Sequence, residues 1–121
     1  MAMLNGETNR FIEGNRIGDI GFAVQDFAER VNGYGVVREL VGHGVGIGLH
    51  EPPEVPNYGK RGRGIKLLPG LVIAIEPMVN AGTGALRIMD DGWTAKTADG
   101  DLSAHFEHTV IVGKTQAEII T

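Results

Sequence analysis

Leu71-Val72-Ile73-Ala74-Ile75-Glu76-Pro77-Met78-Val79-Asn80 decides how this chain is read, because an unbroken apolar run of strand length ends on a carboxylate and a proline. The run has the pattern of a strand covered on both faces. Pro77 ends it, since proline brings no N–H to a ladder. The anomaly recurs in Phe106-Glu107-His108-Thr109-Val110-Ile111-Val112, where Glu107 sits inside a second strand-like run. An ionised carboxylate taken out of water is costly unless it is paired or coordinates a metal. Glu76 and Glu107 therefore call for a counter-charge, and His43 and His50 upstream make a metal site the simplest answer.

Working outward, residues 103–112 read as one final strand, with His105, Glu107, Thr109 and Ile111 on one face and Phe106, His108, Val110 and Val112 on the other. Short extended stretches are expected at 78–79, 86–89 and 94–96, separated by the turn signals Gly82-Thr83-Gly84 and Asp90-Asp91-Gly92. Upstream, Ile20, Val24, Phe27, Ala28 and Val31 recur at helical spacing, so residues 19–32 read as an amphipathic helix with Gly33 at its cap. Val36 and Val37 form a short extended run. Residues 42–56 read as a Gly- and Pro-punctuated loop that carries both upstream histidines, and residues 4–16 as a weak helix ended by Gly14. An α+β fold follows: an antiparallel meander packed on one helix.

Composition narrows the chemistry. With 121 residues, 42% hydrophobic and a formal charge of -4, the chain reads as one ordinary globular domain. Its basic cluster, Lys60-Arg61-Gly62-Arg63, lies in a Gly-rich loop without interleaved aromatics, and no nucleic-acid partner is expected. The absence of cysteine excludes a disulfide framework, a thiolate metal site and a cysteine nucleophile, so any metal is held by oxygen and imidazole. The N-terminal residues lack the apolar core of a signal peptide, no membrane span is read, and a cytoplasmic location is expected.

The individual candidates each have a bland alternative. His43 lies in Gly42-His43-Gly44-Val45-Gly46-Ile47-Gly48, whose glycines suggest backbone passing close to a ligand, although no phosphate-loop or dinucleotide pattern is completed. His50 opens His50-Glu51-Pro52-Pro53, which proline removes from the helical zinc-protease pattern. Glu76 could be a strand-end carboxylate turned to water, and Glu107 could be salt-bridged to Lys96 or Arg87. Trp93 occupies a turn and suits the wall of a pocket or the cap of an edge better than a core. One imidazole with two carboxylates would suit manganese, iron, cobalt or zinc.

Taken together, Gly42-His43-Gly44-Val45-Gly46 with His50-Glu51-Pro52, Ile75-Glu76-Pro77-Met78-Val79-Asn80-Ala81-Gly82, Asp91-Gly92-Trp93-Thr94 and Phe106-Glu107-His108-Thr109 resemble the type I methionine aminopeptidases in order and spacing. The likeness also takes in Arg16-Ile17-Gly18-Asp19 and Val55-Pro56-Asn57-Tyr58-Gly59. It implies the C-terminal half of a pita-bread fold, two pseudo-symmetric α/β halves around two divalent ions of cobalt, manganese, iron or zinc. By the same resemblance His43, Glu76 and Glu107 match metal ligands, with Glu107 bridging. Glu76 matches the general base toward water. His50 matches the histidine that contacts the scissile peptide and steadies the tetrahedral intermediate. Leu49 and Trp93 match the lining of the methionine side-chain pocket.

The likeness is partial. The family's other half supplies two aspartate ligands and a further histidine, and no counterpart stands upstream of His43, since Asp19 and Asp26 fall on the helix. Residues 1–121 are therefore expected to be a partial catalytic domain, inactive alone and binding at most one ion weakly. An exposed sheet face is expected as well, covered by an N-terminal half chain or by a homodimer. His105 stands where the family usually carries glutamine, and Ile47 where relatives are often basic. The implied substrates are the N-terminal methionyl peptides of new proteins, whose initiator methionine is removed. Two other readings stay open: a non-catalytic pita-bread module that binds peptides or proteins, and a fragment of a proline dipeptidase.

Overall fold

The structure, a computed structural model, describes residues 14–121. Most of the weak helix read over residues 4–16 lies outside them. Helix α1, Ile17–Gln25, opens where the Arg16 backbone N–H donates to Asp19 Oδ2 at 2.7 Å, and it continues into a π-helical segment, Asp26–Val31. The helix read over residues 19–32 is thus one continuous helical stretch whose second part is π-helical. Wider π turns shift the phase of the apolar stripe, so Ile20, Val24 and Ala28 are buried while Phe27 and Val31 are exposed. Gly33 follows with a φ of 69°, the left-handed cap that its position suggests.

The strands, in chain order, are β1 Gly35–Val36, β2 Gly42–Gly44, β3 Glu51–Val55, β4 Val72–Ile75, β5 Met78–Asn80, β6 Leu86–Ile88, β7 Ala95–Thr97, β8 Ser103–His105, β9 His108–Ile111 and β10 Glu118–Ile119. All pairings among them are antiparallel. They form a five-stranded sheet in the order β10-β9-β4-β2-β3, a three-stranded sheet β1-β5-β8 and the ribbon β6-β7. This is not a meander, because β4 lies between β2 and β9. The segment read as a loop at 42–56 is the β2–β3 hairpin, with a register shift between His43 and Gly44. Its glycines disguise a strand: a Cβ on Gly42 would stand 2.1 Å from the carbonyl oxygen of Ala74, so only glycine lets β2 approach β4 this closely.

The last strand is likewise corrected from one to two. β9 pairs with β4 and β8 pairs with β5, and the chain changes sheet at Phe106-Glu107, opposite the place where β4 gives way to β5 at Glu76-Pro77. Register runs through the break, with Ile75 paired to His108 and Met78 to His105. Glu76 therefore stands opposite Glu107, and Pro77 opposite Phe106, whose N–H donates to the Pro77 carbonyl at 3.2 Å.

The core lies between α1 and the five-stranded sheet. Ile17 and Ile20 from the helix meet Ile73 and Ile75 of β4, Val110 of β9, Val55 and Leu67. Each such aliphatic side chain contributes roughly 1.5–3 kcal/mol when fully buried. Gly42→Ala is expected to destabilise the chain by about 1–3 kcal/mol through overpacking against backbone, read as a lower urea midpoint. Gly46→Ala, whose nearest neighbours are flexible side-chain atoms of Glu51, should cost less.

Candidate metal centre

His43 on β2 reaches one point with Glu76 and Glu107, which stand at the break just beyond β4 and just before β9. His43 pairs with Ala74 of β4, two residues before Glu76 and on the same face. Cross-strand pairing sets Glu107 opposite Glu76. As a result one ligand atom of each of the three residues lies within 4.8 Å of the other two, among the described residues. Two carboxylates facing each other across a strand pair repel, and a cation between them would relieve that repulsion.

The histidine sharpens the requirement. Nδ1 of His43 lies 2.9 Å from the carbonyl oxygen of Gly44, which can only accept, so Nδ1 is the donor. A neutral ring then presents the Nε2 lone pair. That atom faces Oε1 of Glu76 at 2.9 Å, yet Oε1 is buried and accepts no hydrogen bond. Two facing acceptors are reconciled only by a proton or a cation, and a divalent ion fits this donor set of one imidazole and two carboxylates. The side chains of His43 and Glu76 are each 13% exposed. Glu107 is exposed, which corrects the expectation that it lies buried: the break between β8 and β9 carries it to the rim of the site. Among the described residues it makes no ion pair with Lys96 or Arg87.

The backbone beneath Glu76 is pinned by Asn57, fully buried, whose Nδ2 donates to the Glu76 carbonyl at 3.0 Å. Spacing gave no signal for this residue, which lies nineteen positions away in a loop. Alternation along residues 103–112 sets His105 on the face of Glu107, and its Nε2 stands 3.5 Å from Oε2 of Glu76, the residue opposite Glu107. The two helix aspartates are engaged elsewhere: Asp19 accepts from the N–H of Gly62 at 2.9 Å, and Asp26 pairs with Arg30 at 2.5 Å.

The remaining candidates form a looser ring. The ring of His50 lies 4.1 Å from that of His43, centroid to centroid, at 42°, and the residue is exposed. Leu49 and Trp93 are 71% and 89% exposed, more open than a finished pocket wall. Trp93 is held on its turn by Asp91, whose Oδ1 accepts the backbone N–H groups of Trp93 at 2.9 Å and Thr94 at 2.8 Å. The Thr94 hydroxyl and these N–H groups hold the Asp91 carboxyl below the usual aspartate range.

The profile of metallopeptidase family M24 matches residues 3–114. The methionine aminopeptidase of Clostridium perfringens is 54% identical over 107 residues, 88% of this chain and 43% of that protein. The crystal structure of methionine aminopeptidase from Thermotoga maritima superposes with a TM-score of 0.91 at 45% identity, over 97% of this chain and 47% of that one. A dipeptidase from Pyrococcus horikoshii, with a TM-score of 0.62 at 19% identity over 98% of this chain and 28% of that one, shares the fold alone. The chain spans about two fifths of the length of the curated relatives it matches.

Because the Asp91 carboxyl is depressed in the folded chain, its hold on the Trp93 turn is present above the ordinary aspartate value and lost as pH falls through the depressed one. Trp93 is the only tryptophan, so its emission is expected to change below about pH 3.9 while far-UV circular dichroism is followed alongside. Asp91→Ala should show the low-pH emission already at neutral pH, with no such step.

Proposed function

Because the chain belongs to metallopeptidase family M24 and has the antiparallel sheet and helix of the pita-bread fold, we propose that it carries the imidazole and glutamate side of a methionine aminopeptidase active site. The substrates would be the N-terminal methionyl peptides of new proteins, losing their initiator methionine. The observation that carries this reading is the convergence of His43, Glu76 and Glu107, with the two glutamates opposite in register.

In this reading His43, Glu76 and Glu107 hold the metal. A divalent ion held there would supply Lewis acidity toward the scissile carbonyl and toward water. Glu76, with Oε1 turned to His43, has Oε2 left to take a proton from water and return it to the leaving amine. His50, exposed beside His43, would donate to the oxygen of the scissile peptide. Leu49 and Trp93 would line the pocket for the methionine side chain, with an apolar wall that suits an unbranched thioether.

Residues 1–121 correspond in this reading to the C-terminal half of the catalytic domain. Three donors hold one ion with open positions, so weak single-ion binding without turnover is expected of the chain by itself, in place of the two cobalt, manganese, iron or zinc ions of the complete site. Ile47, Leu49, Trp93 and Leu102 are each more than two-thirds exposed, in keeping with a covering surface supplied by an N-terminal half or a second copy. A cytoplasmic location accords with such substrates, and no helix among the described residues is long and apolar enough to cross a membrane. The dipeptidase reading has no support beyond shared fold, and a non-catalytic module would have no need of facing carboxylates.

Calorimetric titration of the chain with manganese or cobalt, with hydrolysis of a Met-Ala-Ser peptide followed in the same samples, tests the proposal. Uptake of one ion that Glu107→Ala abolishes, with no hydrolysis, is expected. Uptake unchanged in Glu107→Ala, or none at all, would overturn the site, and turnover would overturn the claim of inactivity.

A further inference from the structure

Glu76 has two oxygens, and each faces a different imidazole. Oε1 lies 2.9 Å from Nε2 of His43, and Oε2 lies 3.5 Å from Nε2 of His105. His105 is not among the donors that lie mutually within 4.8 Å, so it approaches the carboxylate from outside the cluster. Its place follows from the strand break. His105 ends β8, paired with Met78, one step before the chain crosses to β9. Its side chain is 46% exposed and lines a cavity of about 510 Å³ with Met78, Arg87 and Lys96.

We propose that His105 is a positioning residue: in the loaded site its Nε2–H donates to Oε2 of Glu76, so that Glu76 meets the ion through Oε1 alone. This rests on the reading of His43, Glu76 and Glu107 as metal ligands. A carboxylate free at both oxygens swings between one-oxygen and two-oxygen binding, and an outer N–H on one oxygen removes that freedom. The 3.5 Å separation is longer than a settled hydrogen bond, and His105 would close it on loading, as catalytic hydrogen bonds that are long in the free protein often do in the complex. Oε2 keeps a second lone pair, so the tie does not block proton transfer at that atom.

Two measurements on the 121-residue chain test the assignment. In the metal-free protein, ring ¹⁵N spectra should show His105 protonated at Nε2, and Glu76→Gln should move its signals while leaving those of His108 in place. In cobalt titrations, His105→Ala should weaken binding about ten- to a hundredfold, the range for loss of an outer-shell partner, and change the visible cobalt spectrum as Glu76 turns two-oxygen. His105→Gln, whose amide N–H can still reach Oε2, should restore both. Cobalt affinity and spectrum unchanged in His105→Ala would overturn the proposal. So would a failure of His105→Gln to restore them, which would make the ring itself a ligand. If the chain takes up no cobalt, the metal-site reading fails and the metal-free spectra alone decide: His105 signals indifferent to Glu76→Gln would sink the contact. The residue is half-exposed, so the variants are expected to unfold at the temperature of the parent, a control that excludes misfolding.

Discussion

Everything at the candidate centre depends on one register constraint: two antiparallel strand pairs are interrupted at the same level. Pro77 cannot donate to a ladder, so β4 cannot run on into β5, and β9 and β8 part company opposite it. Because the count is conserved through the interruption, Glu76 and Glu107 face each other with no choice of partner. Sheets normally avoid such an opposition of like charges. Its presence at the seam between two sheets, with an imidazole lone pair arriving from a third strand, is a local conflict that a bound cation or a proton would relieve.

Several elements of the surroundings serve that seam. Gly42 brings β2 against the carbonyl of Ala74, which is what lets His43 reach across to Glu76. Gly44 fixes the tautomer of His43 by accepting from Nδ1. Asn57, buried and anchored to the carbonyl of Glu76, ties the strand end to the loop beneath it. Backbone therefore positions two of the three donors directly. Glu107 differs: it lies at the exposed rim, and its cross-strand partner positions it more than any packing does.

What the sequence made legible was local. The apolar run at 71–75, the proline that stops it and the misplaced carboxylates are all read within a few residues. The helix stripe through Ile20, Val24 and Ala28 is equally plain, and only the π segment, which no spacing rule anticipates, turned Phe27 and Val31 outward. Register was not legible. The β2–β3 hairpin is so rich in glycine and proline that composition points to a loop, although those glycines permit close strand contact. Residues 103–112 alternate without fault, so nothing local announces that they serve two sheets. The same long-range pairing brought His105 to Glu76, a contact that alternation along one strand does not reveal.

β3 forms one edge of the five-stranded sheet, and its sequence is Glu51-Pro52-Pro53-Glu54-Val55. Two consecutive residues there have no N–H to offer, and the carboxylates on either side repel another acidic edge. A foreign strand approaching this side finds neither a donor row nor neutral ground. A domain with Ile47, Leu49 and Trp93 open to solvent would otherwise be prone to stack edge to edge. The edge chemistry guards this flank against fibrillar self-association while leaving the apolar residues available for ordered contact.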